Sequence, residues 1–373
     1  EPETTSLFQD FSSENKNVRC LKTSSDYSLS FCYTTINNYL VLSDSFSSTE
    51  KTLAGLNDAT RRRVGQLFIV GFEGTSLTPE LREFFQKYYP GGILLNSSNI
   101  LSTHQASSLI KDLQELSLEL TGQPLIVAIN QEGGSVNTVD FFEELTAQAD
   151  LETDTVAYQA GLKKGEELAN IEINLNFSPL LDTATKGDYI YDRTFQENTE
   201  TIGELGKSLV LGYQEAGIYS CLKYFPGYGG ILANPAQNLM MLSTPPEISQ
   251  FKEVMSVKPK FVMAASAIYE SIDSTLPFIF SEDGIKYLEH NLGRDPLIVT
   301  DDLSQQALLN AYDISDIVTN PIKAGVDLEL ISGYQFSAEE GLDAFLEAIN
   351  NNQVSEENIE EARSRIIKLK ENL

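Results

Sequence analysis

The sequence predicts an α/β protein dominated by one closed barrel, and two observations carry that prediction. From Leu53 onward, short apolar runs alternate with amphipathic helical stretches, the pattern of βα units around a parallel sheet. There are eight such runs, the number that closes a (β/α)8 TIM barrel. An open doubly wound sheet is the structural rival. It calls for a G-x-G-x-x-G phosphate loop after an early strand, and none of the runs ends in one.

In chain order, the first 15 residues, EPETTSLFQDFSSEN, are polar and aperiodic and read as a tether. NVRCLKT, YSLSFCYTTI and NYLVLSD are rich in β-branched and aromatic residues, which predicts two or three short antiparallel strands. SSTEKTLAGLND then reads as a boundary, giving an N-terminal arm and small β unit over 1–52 and a barrel over 53–373. The barrel strands are FIVGF (68–72), GGILLN (91–96), PLIVAIN (124–130), INLNFSPLLD (173–182), IYSCLKYF (218–225), FVMAAS (261–266), PLIVTDD (296–302) and DLELIS (327–332). Helical stretches such as SSLIKDLQELSLEL and AYQAGLKKGEELANI lie between them, and SEENIEEARSRIIKLKENL closes the chain.

The charge balance narrows the range of partners. With 54 acidic against 26 basic residues and a net charge of -28, the surface repels phosphates, which excludes nucleic acid. No apolar run approaches the roughly 20 residues that cross a bilayer, so no transmembrane segment is expected. Cys20 and Cys32 are spaced for a cross-strand disulfide, which would imply an oxidising compartment. Two buried free thiols are the alternative. The chain begins at Glu1 without Met, so the expectation is an exported protein, periplasmic or on the cell surface, with a lipid anchor ahead of residue 1 left open.

A barrel of this kind builds its active site at the C-terminal ends of its strands. The polar residues there are Glu73, Asn96, Asn130, Asp182, Lys223, Ser266, Asp301 and Asp302, a ring suited to a sugar-binding pocket. Adjacent aspartates on a strand point to opposite faces, so Asp301 and Asp302 do not make a metal site. No metal or other cofactor is expected.

RRRVGQLFIVGFEGTSL, YYPGGILLNSSNI, NQEGGSV, LNFSPLLD, YDRTF, LKYFPGYGG, LIVTDDL and AGVDLELI resemble, in that order, the successive motifs of the β-N-acetylhexosaminidases of glycoside hydrolase family 3. They cover about 320 residues, essentially everything after the N-terminal unit. The resemblance implies that Asp301 stands at the carboxylate nucleophile of a retaining mechanism, with Asp302 better suited to capping the next helix. It also implies that Arg193 and Lys223 bind the sugar's hydroxyl and N-acetyl groups, although either could instead form a buried ion pair with Asp182.

The departures from the family pattern fall in the site. The family's acid/base loop reads K-H-F-P-G-H-G followed by D-S-H. Here Tyr224 and Tyr228 replace the first two histidines, Asn234 stands at the orienting aspartate and Ala236 at the catalytic histidine. From Tyr224 through Pro246 there is no His, Asp, Glu, Cys, Lys or Arg, and the chain's two histidines, His104 and His290, fall in predicted helices. Other branches of the family take a glutamate from a second, C-terminal domain, whereas this chain stops at the end of the barrel. Asn130 replaces a sugar-binding aspartate, Ser135 an arginine and Ser266 a histidine.

Losing a general acid costs about 10²- to 10⁴-fold, or about 3 to 5 kcal/mol of transition-state stabilisation. The expectation is therefore a pseudoenzyme, an exported glycan-binding or scaffolding barrel. Tyr224 and Tyr228 would offer faces for stacking on a sugar or simply fill the space left by histidines, and the N-terminal β unit would dock to an envelope protein complex. The alternative is an active retaining β-N-acetylhexosaminidase, with Asp301 as nucleophile, acting on N-acetylglucosamine-containing glycans such as peptidoglycan fragments.

Overall fold

Strand alternation builds the N-terminal unit. The computed structural model describes residues 8–13, 16–22, 29–36, 39–43 and 46–373. Strands β1 (Phe8–Ser13), β2 (Lys16–Lys22), β3 (Leu29–Ile36) and β4 (Tyr39–Ser43) form an antiparallel meander in that order. Val18, Cys20, Cys32 and Leu53 are buried on one face with Phe11 and Phe46 against them, while Phe31, Leu40 and Leu42 alternate onto the other face. Cys20 and Cys32 lie directly opposite each other in the β2–β3 register and are disulfide-bonded.

The structure corrects the sequence reading of the tether and gives the boundary segment its fold. β1 falls inside the stretch read as a tether, because Phe11 has a core to pack against that is invisible from its polar neighbours. The boundary segment is helical: α1 (Phe46–Val64) runs through position 52/53, burying Thr49, Leu53 and Val64. Arg61, Arg62 and Arg63 occupy its last turn, where cations complement the helix dipole. Arg63 reaches Glu356 at 2.9 Å and Glu360 at 3.0 Å on α11 (Glu356–Lys370), tying α1 to the last helix of the barrel.

The barrel strands are β5 (Phe68–Gly71), β6 (Gly92–Leu95), β7 (Ile126–Ile129), β8 (Leu175–Asn176), β9 (Tyr219–Phe225), β10 (Phe261–Ala264), β11 (Leu297–Thr300) and β12 (Glu329–Ile331). They pair in parallel in chain order. The β12–β5 ladder and a parallel bridge from Val299 to Leu328 close the ring, so this is a (β/α)8 barrel with a small β-rich extension. Its core spans both the barrel interior and the strand–helix layer, which is why the strands read as unbroken apolar runs.

The helices between them are α2 (Pro79–Tyr88), α3 (Thr103–Thr121), α4 (Asp154–Ala169), α5 (Thr199–Glu215), α6 (Ser249–Met255), α7 (Glu282–Leu292), α8 (Gln306–Leu309), α9 (Ile314–Ala324) and α10 (Ala338–Asn350). Most begin on a Ser, Thr, Asn or Asp whose side chain accepts a backbone N–H of the first turn, as Thr78, Ser102 and Ser337 do. No helix among the described residues is long and apolar enough to cross a membrane.

Candidate active site

The end of β7, the segment after β8 and strand β9 converge on one buried carboxylate that the sequence reading passed over. Glu132, just past β7, is 2% exposed. It pairs with Lys223 Nζ of β9 at 2.5 Å and with Arg193 Nη2 at 2.7 Å, while Arg193 Nε donates to its other oxygen at 3.0 Å. Burial alone would push the Glu132 carboxyl up, but the charges of Lys223 and Arg193 outweigh it and hold it at about 2. The partner of Arg193 and Lys223 is thus Glu132 and not Asp182, as the ion-pair alternative had it.

The backbone around Glu132 is fixed from behind. Lys164 of α4, fully buried, donates to the Glu132 carbonyl at 2.7 Å, and desolvation pushes its ammonium down to about 8. Gly133 has φ +106°, and a Cβ there would run into the Thr146 carbonyl, so glycine is required. Asn130 turns its amide oxygen to Lys223 Nζ at 3.0 Å, giving the ammonium a neutral second acceptor.

Asp182 is fully buried and faces the backbone of the β9 loop, accepting from Tyr224 N at 3.3 Å and from Tyr228 N. Desolvation raises its carboxyl to about 6 against those two donors. It shapes the loop from beneath. Gly227 keeps that approach open, since φ is +127° and a Cβ would stand 3.2 Å from Asp182 Oδ1.

Asp301 lies at the end of β11, 7% exposed. Its Oδ2 accepts from the Tyr228 hydroxyl at 2.8 Å and its Oδ1 from Asp302 N at 2.8 Å, while burial raises its pKa despite both. The Tyr228 hydroxyl in turn accepts from Ser266 N at 2.7 Å. Tyr228 is therefore buried and held by its hydroxyl, without a face free for stacking. Tyr224, half-buried, packs its ring 5.0 Å from that of Tyr228 and accepts from Arg193 Nη2 at 3.2 Å. The ring pair joins the Glu132 cluster to the Asp301 side. Asp302 does not cap a helix: it accepts from the backbone and hydroxyl groups of Ser304 and Ser332, locking the β11 and β12 loops together.

The segment after β9 crosses the barrel mouth as a strap. Ile231 O accepts from Tyr189 N at 2.7 Å, Ala236 O from Ala307 N at 3.0 Å and Met240 O from Ile268 N at 2.9 Å. The Asn234 side chain accepts from Ala236 N at 2.9 Å, closing a local turn. His104 and His290 are exposed on α3 and α7, remote from the strand ends. Ser266 Oγ and Gln305 Oε1 are buried without a hydrogen-bond partner, so polar capacity remains beside Asp301. Among the described residues no group of three His, Cys, Asp or Glu side chains could hold a metal ion.

Glu132 could have been found from the sequence: it stands two residues after Asn130, with the same outward alternation, in a segment otherwise free of charge. Lys164 and Gln305 left no local signal.

Known proteins resemble this chain over the barrel. The Glycosyl hydrolase family 3 N terminal domain matches residues 59–369. The chain is 26% identical over 335 residues to Beta-hexosaminidase A of Pseudoalteromonas piscicida, covering 80% of this chain and 56% of that protein. It is 29% identical over 293 residues to the Beta-hexosaminidase of Thioalkalivibrio sulfidiphilus, covering 74% and 83%. A glycoside hydrolase family 3 beta-N-acetylglucosaminidase from Paenibacillus superposes with TM-score 0.78 at 28% identity, over 84% of this chain and 62% of that one. The Beta-N-acetylhexosaminidase of Beutenbergia cavernae shares the fold at TM-score 0.76 and 24% identity, over 83% and 98%. The chain thus spans less than two thirds of two of these relatives and most of the other two.

Proposed function

Because the chain belongs to glycosyl hydrolase family 3 through its N-terminal domain, we propose that it is a β-hexosaminidase-type barrel that binds N-acetylhexosamine-containing glycans, with Asp301 as the nucleophile of a retaining mechanism and turnover limited by the missing proton donor. The observation that carries this reading is the Glu132–Lys223–Arg193 cluster beside a buried Asp301. Arg193, held by Glu132 and one-fifth exposed, presents fixed N–H donors to hydroxyl and acetamide oxygens while buried Lys223 completes the cluster, which is the recognition half of the reaction. The names of the relatives support the same class.

Chemistry then divides substrates by leaving group. Attack by Asp301 on an aryl glycoside needs no protonation of the leaving oxygen, whereas a sugar alkoxide does. The expected pattern is measurable release of an activated phenol, abolished by Asp301→Asn, with turnover of an N-acetylglucosamine disaccharide about 10²- to 10⁴-fold below that of a complete site. Rapid disaccharide hydrolysis would refute the limited-turnover part, and phenol release unaffected by Asp301→Asn would refute the nucleophile.

A second reading, glycan binding or scaffolding without turnover, is favoured by one specific observation. Residues 229–246 of the strap carry no His, Asp, Glu, Cys, Tyr, Lys or Arg, and the Asn234 side chain is committed to Ala236 N. In that reading the exposed Phe31, Leu40 and Leu42 face of the N-terminal sheet docks to an envelope partner of an exported protein, and the Cys20–Cys32 disulfide supports export.

A further inference from the structure

Asp301 has two polar neighbours whose hydrogen-bonding capacity the fold does not use. Ser266 stands just past β10, where that chain segment abuts the end of β11. Asp301 N donates to Ala264 O at 3.0 Å, and Ser266 N donates to the Tyr228 hydroxyl that holds Asp301 Oδ2. Gln305 opens α8, four residues beyond Asp301. Its backbone is fixed, with Gln305 O accepting from Leu308 N at 3.3 Å and neighbouring Ser304 bonded to Asp302 and Ser332. Burial pushes the Asp301 carboxyl up, and the Gln305 side-chain amide is among the hydrogen-bond donors that oppose it. Ser266 is 3% exposed and Gln305 8%, yet Ser266 Oγ and Gln305 Oε1 have no partner among the described residues. A buried polar atom left unpaired destabilises a fold, so two of them beside one carboxylate call for a ligand group that pairs with them.

We propose that Ser266 and Gln305 are specificity-determining residues for the sugar unit bound at Asp301, Gln305 Oε1 accepting the N–H of its 2-acetamido group and Ser266 Oγ bonding one of its hydroxyls. An amide oxygen only accepts, so it pairs with an N–H or O–H, and the carbon bearing the 2-substituent is bonded to the carbon that Asp301 attacks. A serine hydroxyl both donates and accepts, which suits a sugar hydroxyl. Gln305 thereby meets the nucleophile with its amide nitrogen and the ligand with its amide oxygen, so recognition of the N–H also positions the reacting carbon. A sugar without a donor on that carbon leaves Gln305 Oε1 buried and unpaired, and the site discriminates against it. This inference rests on the glycan reading of the Asp301 pocket.

The test is an NMR titration of the whole chain with N-acetylglucosamine and with 2-deoxyglucose, which has no donor at that position, repeated on Gln305→Leu and Ser266→Ala, with urea denaturation of each. The wild type is expected to bind N-acetylglucosamine about three- to tenfold tighter than 2-deoxyglucose, the contribution of one hydrogen bond. Gln305→Leu should lose that preference while keeping its affinity for 2-deoxyglucose. Ser266→Ala removes only an unpaired hydroxyl, so it should weaken both sugars about three- to tenfold without lowering the urea midpoint, and it keeps the test available if Gln305→Leu does not fold. Equal wild-type affinity for the two sugars, a preference that survives Gln305→Leu, or a Ser266→Ala protein that loses stability but not affinity overturns the assignment while leaving sugar binding at Asp301 intact. Failure of the wild type to bind either sugar overturns the glycan reading, and the assignment with it.

Discussion

Replacing Glu132 by Gln tests the centre of the site, because the substitution keeps shape and removes one charge. In the wild type this carboxylate faces Lys223, which is fully buried, and Arg193, whose side chain is 20% exposed. Breaking a buried pair leaves uncompensated charge and costs about 3 to 5 kcal/mol, with the lower end appropriate where one partner reaches solvent. The acid titration gives a second route to the magnitude. A carboxyl held at about 2 against its ordinary 4.5 contributes about 3 kcal/mol at neutral pH, at about 1.4 kcal/mol per tenfold. Because the folded-state pKa lies below the unfolded one, that contribution is fully present above about pH 4.5 and disappears as pH falls toward 2. Urea denaturation at pH 7 should therefore show Glu132→Gln destabilised by about 3 kcal/mol, and the gap to wild type should narrow on acidification between those limits. A loss below about 1 kcal/mol, or a gap independent of pH, would refute the claim that Glu132 neutralises both cations.

Three further outcomes follow from the same geometry. Tyr228→Phe removes the hydroxyl that donates to Asp301 and accepts from Ser266 N, so stability should fall by about 1.5 to 3 kcal/mol and the Asp301 carboxyl should titrate at higher pH, read by carboxyl carbon NMR. The double change Asn234→Asp with Ala236→His restores a donor dyad on the strap, and disaccharide hydrolysis should rise by about 10²- to 10⁴-fold; no rise would show that the strap does not bring position 236 to the scissile bond. Replacing Cys20 and Cys32 together by Ala opens a loop with a sequence separation of 12, which should cost the N-terminal sheet about 3 kcal/mol, seen as faster amide exchange in β2 and β3 with the barrel strands unchanged.

The barrel was legible in the sequence because its signals are local. A buried parallel strand is an apolar run whatever it pairs with, and helix caps such as Ser102 and Ser337 act within one turn. Asp301 and the cations Arg193 and Lys223 were picked out through motif order for the same reason. An amide at 234 and a methyl at 236 cannot transfer a proton in any fold, and that too is read from the sequence.

Only the tertiary structure decided the pairing. Glu132 is 61 residues from Arg193 and meets Lys223 from a different strand, so closing the barrel was needed to select Glu132 over Asp182 as their partner. Tyr228 looked like a surface for stacking until the position of Asp301 showed its hydroxyl committed. β1 was misread because Phe11 packs against a core made by other strands. Composition and periodicity report the environment a residue needs, whereas contacts between distant segments are chosen by how the whole chain packs, and the electrostatics of this site depend on those contacts.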